Sequence, residues 1–115
     1  MSINNSIIID ATSKALKIQS EVLKVAKELN LNEMYQIKSR LISTVNNLSA
    51  NVEDAFGLRN RLDRIRSFVL ITGRMLECRD YLQLINKLHI NDTVEIMNDI
   101  DELTNLLMVN SGSIN

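Results

Sequence analysis

The sequence predicts an all-α protein, an antiparallel up-down-up-down bundle of four helices. The 115 residues include no proline and only three glycines, so the chain has few of the residues that build tight turns. Through most of its length apolar residues recur every three or four positions, the spacing of one face of a helix. Short connections between successive helices then favour the simple antiparallel bundle, and the length fits a single domain.

The apolar periodicity places helices at about residues 7–29, 33–55, 58–88 and 92–109, with frayed ends at 1–6 and 110–115. The first has the narrow seam of a coiled-coil-like helix and is expected to end at Asn30-Leu31-Asn32. The second is expected to stop at Phe56-Gly57, where Gly57 would form a left-handed cap. The fourth begins with a predicted capping box, in which Asp92 caps the third amide and Glu95 reaches back.

The third helix is central because it carries two apolar stripes, whereas a surface helix needs only one. The first stripe consists of Leu58, Leu62, Ile65, Val69, Thr72 and Leu76. The second, about 140° further round the helix, consists of Phe68, Ile71, Met75, Cys78, Leu82 and Ile85. We expect one bundle core not to cover both, and we predict a homo-oligomer whose interface is formed by Phe68, Ile71, Met75, Leu82 and Ile85. The alternative is a monomer whose third helix twists, so that each half uses its own stripe.

Several features restrict the compartment and the class of protein. The chain has one cysteine, Cys78, whose place in an apolar stripe indicates a small core residue. Ile7-Ile8-Ile9 is too short for the apolar part of a signal peptide, and no run of 18 apolar residues predicts a membrane span. The formal net charge of −1 argues against a protein that coats nucleic acid through bulk charge. We therefore expect a cytoplasmic protein.

No pattern in the sequence specifies a reaction. There is no glycine-rich phosphate loop and no cluster of cysteine and histidine residues, and the single histidine, His89, lies in an expected turn. The adjacent acidic pairs Glu53-Asp54 and Asp101-Glu102 point about 100° apart on a helix and do not converge. We expect no catalytic residue, metal site, cofactor or small-molecule substrate.

The distribution of charge is more informative than its sum. Residues 56–79 contain six arginines and two acidic residues, whereas residues 91–109 contain five acidic residues and no lysine or arginine. Arginine binds phosphate and carboxylate groups through a two-pronged contact. One interpretation is a surface for phosphate or an acidic partner formed by Arg59, Arg61, Arg64, Arg66 and Arg74, to which Lys14, Lys17, Lys24 and Lys27 would add. The other is that the arginines of residues 56–79 pair with the acidic fourth helix, in the same or a neighbouring subunit.

The segment from Asn47 to Gly57, Asn-Leu-Ser-Ala-Asn-Val-Glu-Asp-Ala-Phe-Gly, resembles a family motif, Ser-Ile-Pro-x-Asn-Ile-Ala-Glu-Gly-Phe-Gly. The motif closes the second helix in a family of small bacterial four-helix bundles. That family includes proteins encoded in intervening sequences of large-subunit ribosomal RNA genes and, more distantly, the accessory variability protein of diversity-generating retroelements. Without a gap, Arg66, Gly73 and Glu77 then fall on further family positions. The sequence departs from the family pattern at Ser49, where the family has proline, and at Ala55, where it has glycine.

The resemblance implies a non-enzymatic bundle that assembles as a ring, typically of five subunits, and works as an adaptor. In the retroelement branch the partners are a reverse transcriptase and its template RNA. That branch is usually strongly basic, and this chain is not. On the basis of the resemblance, the first hypothesis is an oligomeric adaptor for a nucleoprotein partner. The second is a purely structural protein–protein interaction bundle with no role in nucleic-acid binding.

Overall fold

The computed structural model describes residues 5–30 and 32–111, and every regular element in these ranges is helical. The elements are α1 (Asn5–Lys27), α2 (Tyr35–Val45), α3 (Leu48–Gly57), α4 (Arg61–Lys87) and α5 (Val94–Ser111), with one 3₁₀ turn at Asn32–Met34. The α2 and α3 helices together take the place of the second predicted helix. Four helical rods therefore pack compactly, and the prediction of an all-α bundle is confirmed at this level.

The helices surround one apolar core. Helix α1 packs against α2, α3 and α5, and α4 packs against the same three helices. Since α1 and α4 make no comparable contact with each other, they lie at opposite corners of the bundle. Each of these two helices therefore has one side that faces away from the rest of the chain, which determines where the exposed surfaces lie.

Helix α1 buries the seam that its sequence predicts. Ala11, Ala15, Ile18 and Val22 are fully buried, so two small residues are followed by two larger ones along the line of contact. The helix ends at Lys27, before the predicted position, because the amides of the next two residues bond to carbonyls only three residues back. Of the expected terminating residues Asn30-Leu31-Asn32, Leu31 lies outside the described residues.

The predicted continuous helix 33–55 is wrong, because a turn divides it at Asn46 and Asn47. The backbone angles are φ −58° and ψ 119° at Asn46, then φ 58° and ψ 25° at Asn47, which is the geometry of a type II turn. Asparagine tolerates the left-handed region better than most residues. Periodicity hid this turn because Val45, Leu48 and Val52 keep three- and four-residue spacing across it, and all three are buried.

Hydrogen bonds to α1 hold the start of α3 in place. The backbone N–H of Ser49 donates to the side-chain oxygen Oε1 of Gln19 at 3.2 Å. The Ser49 hydroxyl donates to the carbonyl oxygen of Thr12 at 3.3 Å. One of the first amides of α3, which would otherwise lack an acceptor within the helix, is thereby satisfied.

The turn between α3 and α4 also differs from its prediction. No glycine in the described residues has positive φ, and Leu58, which follows Gly57, is extended with φ −69° and ψ 132°. Gly57 is therefore not a left-handed cap. Helix α4 begins at Arg61, three residues later than predicted, because Asn60 caps it: its Oδ1 accepts a hydrogen bond from the N–H of Asp63 at 3.1 Å.

The start of α5 shows a different cap from the predicted box. The Oδ1 atom of Asp92 accepts from the N–H of Val94 at 3.1 Å, and Glu95 lies 3.4 Å from Lys17 of α1. Thr93 is fully buried, and its hydroxyl donates to the carbonyl oxygen of Leu82 at 2.6 Å, which ties this turn to α4. The frayed ends are also shorter than predicted, since residues 5–6 and 110–111 are helical, while 1–4 and 112–115 lie outside the described residues.

Candidate interaction surfaces

The two stripes of the central helix have exchanged their predicted roles. The interface predicted at Phe68, Ile71, Met75, Leu82 and Ile85 is wrong, because all five side chains are buried in the core of the single chain. Phe68 packs edge-on against Phe56 of α3, with ring centroids 4.9 Å apart. The physical reason is that both stripes have helical spacing, and the sequence does not show which one faces the other helices. These residues stabilise the monomer's core and are not available to a second copy.

The other stripe is exposed at Leu58, Leu62, Val69 and Leu76 and half-buried at Ile65 and Thr72. Leu62 and Val69 each keep 54% of their side-chain surface in contact with solvent, and Leu76 keeps 50%. They lie seven residues apart, which places them on one line along α4. A second row with the same spacing, Ile9, Leu16 and Leu23, is exposed on α1. Single exposed apolar residues are ordinary on protein surfaces, but rows at seven-residue spacing are the pattern of helices that pack on other helices.

Arg64 differs from the other arginines of the predicted binding surface because it is buried. One of its terminal nitrogens, Nη1, donates to the carbonyl oxygens of Leu58 at 2.5 Å and of Arg59 at 2.8 Å. These carbonyls lie just beyond the C-terminus of α3, where a cation is favourable. Arg64 therefore fixes the α3–α4 turn from inside the protein and presents no charge to a partner.

Three other basic side chains pair with the acidic helix α5 of the same chain. Arg79 makes a two-pronged contact with Asp101, its Nε lying 2.8 Å from Oδ1 and its Nη2 3.1 Å from Oδ2. Lys14 lies 3.1 Å from Glu102, and Lys17 lies 3.1 Å from Asp99. The hydrogen bonds to these acids raise the pKa of Lys14 and of Lys17 above the usual lysine value. Of the six arginines for which pairing with the fourth predicted helix was an alternative, Arg79 makes that contact within the described residues. The pairing of Lys14 and Lys17 was not predicted.

The remaining candidate cations do not form one surface. Arg59, Arg61, Arg74, Lys24 and Lys27 are exposed, and none makes an ion pair within the described ranges; Arg66 reaches only Asp63 of its own helix, at 3.9 Å. Arg59 and Arg61 lie at the start of α4. Lys24 and Lys27 lie at the end of α1, where Glu28 accepts a hydrogen bond from Asn91 in the α4–α5 turn. That turn follows the far end of α4, about 40 Å from Arg61.

Two open grooves meet at Arg74 on the side of α4 that faces α3. The first, of about 250 Å³, is partly apolar and lies between Ala55, Leu58 and Leu70. The second, of about 440 Å³, is polar and lies beside the Asn46–Asn47 turn. Asn51 and Arg74 line both grooves. The sequence analysis predicted neither groove, and the second is lined by the turn that interrupts the second predicted helix.

Cys78 and His89 occupy the environments expected from the sequence. The Cys78 thiol is fully buried, and burial raises its pKa to about 11, so the reactive thiolate is scarce at neutral pH. His89 is exposed in the turn after α4, with φ 57°. Cys78 thus behaves as a small core residue.

The raised pKa of Cys78 predicts a loss of stability in alkaline solution. The folded chain holds the thiol proton more tightly than the unfolded chain, whose ordinary cysteine pKa is 9.0. Below that value both states keep the proton; as pH rises towards 11 only the unfolded state loses it. We expect the free energy of unfolding to fall by about 2 kcal/mol across this range because of Cys78. Urea titrations from pH 8 to 11 measure the fall. The same slope in Cys78→Ala would contradict the assignment.

Two further features of the described chain bear on possible sites. Among residues 5–30 and 32–111, no three histidine, cysteine, aspartate or glutamate side chains cluster in a way that would hold a metal ion. Within the same ranges, no helix combines the length and the apolar character needed to cross a membrane.

No protein-family model matches this chain, and no curated protein or solved structure is significantly similar to it. The resemblance to the intervening-sequence and retroelement bundles therefore stays a prediction that depends on the residues from Asn47 onwards.

Proposed function

We propose that the protein is a non-enzymatic, homo-oligomeric adaptor of the cytoplasm that binds a nucleoprotein partner. The observation that carries the proposal is the pair of exposed apolar rows, Leu62, Val69 and Leu76 on α4, and Ile9, Leu16 and Leu23 on α1. Each exposed row resembles half of a helix–helix contact. The buried residues already form the core of the single chain, so these exposed rows are available to pack against another helix.

We infer that neighbouring helices of the bundle run antiparallel, as in an up-down-up-down arrangement. Pairs of side chains between helices support this direction. Lys14 pairs with Glu102, and Lys17, further along α1, pairs with Glu95, which is earlier in α5. The same reversal relates α4 and α5, where residue 82 bonds to residue 93 and residue 79 to residue 101.

The contact with the nucleoprotein is assigned to the end of the bundle that carries Arg59 and Arg61. These two guanidinium groups are exposed and lack an ion pair in the described part of the chain, and their turn is held rigid by Arg64. Arginine in this setting is suited to phosphate. RNA, a reverse transcriptase bound to RNA, or both would be partners of the kind that the family resemblance implies.

The alternative is a structural interaction bundle with no nucleic-acid role. It is favoured by the ion pairs of Lys14 and Lys17 with α5, since these contacts remove two cations from the predicted binding surface. Arg79, the sixth arginine of residues 56–79, is paired with α5 as well. Exposed ion pairs contribute little stability, but they do neutralise the field that would attract a phosphate backbone.

The deciding experiment measures RNA binding as a function of salt. For a single-stranded RNA probe, the logarithm of the affinity should fall linearly with the logarithm of salt concentration, by about 0.7 for each phosphate neutralised. Arg59→Ala with Arg61→Ala should weaken binding and make this slope shallower. Lys24→Ala with Lys27→Ala removes the same charge at the other end of the bundle and is the control. No binding at low salt would support the purely structural alternative. Equal effects of the two double variants would overturn the assignment of the contact to Arg59 and Arg61.

A further inference from the structure

The outward face of α4 nearly repeats itself on either side of Gly73. Leu62 and Leu84 lie eleven residues before and after this glycine, and both are exposed. Arg66 and Asp80 lie seven residues before and after it, and they are exposed as well. At about 100° per residue, all five positions fall near one line along the helix. The line reads almost the same in both directions, except that its two charges have opposite sign.

Closer to the glycine, Val69 lies four residues before it and Leu76 three residues after. Both side chains lean to the same side of the line, towards α5, and both are half exposed. Two copies of the face arranged about a two-fold axis through Gly73 would bring Val69 of one copy beside Leu76 of the other. The same axis would place Arg66 opposite Asp80 of the second copy, and Leu62 opposite Leu84, each of them twice.

Gly73 itself has no explanation within the single chain. Glycine destabilises the interior of a helix relative to alanine. Its φ is not positive and it is exposed. Apart from its chain neighbours and the backbone of its own helix, no heavy atom of residues 5–30 and 32–111 would lie within 4 Å of a Cβ atom added to it. A glycine at the point where two helices cross allows their backbones to approach closely, and the centre of this face is where such a crossing would be.

We propose that the outward face of α4 is a self-complementary surface on which a second copy of this chain docks, antiparallel, about a two-fold axis at Gly73. The proposal rests on the homo-oligomer of the proposed function and specifies its contact. A two-fold contact uses the same patch on both copies and closes with two chains, whereas a ring of five needs two different patches. The contact is therefore a pair, distinct from the ring that the family resemblance implies.

Charge exchange tests this pairing directly. Sedimentation equilibrium of the wild type should give about twice the monomer mass of 13.1 kDa. Arg66→Asp alone, or Asp80→Arg alone, places like charges opposite each other twice, and should raise the dissociation constant about tenfold or more at low salt. Combining the two changes restores opposite charges in exchanged positions, and should return the dissociation constant to within about threefold of the wild type. Lys27→Asp, an equal charge change on α1, is the control and should have no effect.

The outcomes separate this proposal from the broader one. A wild type that is monomeric at every concentration overturns both the homo-oligomer and the α4 pair. An oligomer that neither charge reversal weakens overturns only the α4 pair and leaves association through another surface, such as the α1 row. Single variants that dissociate without rescue by the double variant also overturn the pairing of Arg66 with Asp80. Circular dichroism of each variant checks that the fold is intact.

Discussion

Met75→Asp is expected to unfold the chain, whereas Leu76→Asp, at the next residue, is expected to leave the fold intact and to weaken association. Met75 is fully buried in the core, and Leu76 is 50% exposed on the outward face of α4. The two variants carry the same new side chain at adjacent positions of one helix. Any difference between them therefore reports which way each position faces.

The destabilisation expected from Met75→Asp is large enough to unfold the chain. An unpaired carboxylate in an apolar core is strongly unfavourable, and the lost thioether leaves a poorly filled space. Together these terms reach about 5 kcal/mol or more, which is comparable to the entire stability of a typical small domain. At Leu76 the carboxylate stays in water, and surface changes of this kind usually alter monomer stability by about 0.5 kcal/mol.

Far-ultraviolet circular dichroism and sedimentation of both variants provide the measurement. We expect Met75→Asp to lose most of its helical signal, and Leu76→Asp to keep that signal while its mass falls towards the monomer. If Met75→Asp kept its helices and lost its partner instead, the buried stripe would be the interface and the packing described above would be wrong. Met75→Leu, which changes shape but not polarity, controls for the loss of the thioether.

Periodicity predicted the helical segments but not which side of each helix is buried. The seam of α1 has a single apolar stripe, so its buried face could be read from the sequence. Helix α4 has two stripes of equal regularity, and only contacts with Phe56 and the other helices decide which is buried. Met75 and Leu76 are adjacent apolar residues with opposite environments, a distinction that depends on tertiary packing and not on local pattern.

The turn at Asn46–Asn47 and the candidate binding residues show a similar limit. A two-residue turn that keeps the apolar spacing leaves no gap in the pattern, although two adjacent asparagines are a turn signal in themselves. For the arginines of residues 56–79 the sequence offered internal pairing and partner binding as alternatives, and for the lysines of the first helix it offered partner binding. Only distances reveal that Arg79 and Lys14 meet acids of α5, while Arg59 meets no acid among the described residues.

Arg64→Met is expected to destabilise the chain by about 2–4 kcal/mol through loss of the contacts that close the α3–α4 turn. The methionine keeps most of the apolar stem but leaves the carbonyl oxygens of Leu58 and Arg59 without their donor. Hydrogen bonds to a charged group contribute about 1.5–3 kcal/mol each. Removing a buried cation with no carboxylate partner in the described chain offsets part of that loss, since such a charge is costly to bury.

Arg66→Met is the matched control, because Arg66 is exposed and its only ion pair within the described residues is the 3.9 Å contact with Asp63. Exposed pairs contribute roughly 0–1 kcal/mol, so its monomer stability should change little. Urea unfolding of both variants in the Leu76→Asp background removes the contribution of association. Of the two variants, only Arg64→Met should show faster hydrogen exchange of the backbone amides at residues 58–63. Equal stability of the two variants would mean that Arg64 does not anchor the turn. Arg64 would then again be a candidate residue for binding a phosphate partner.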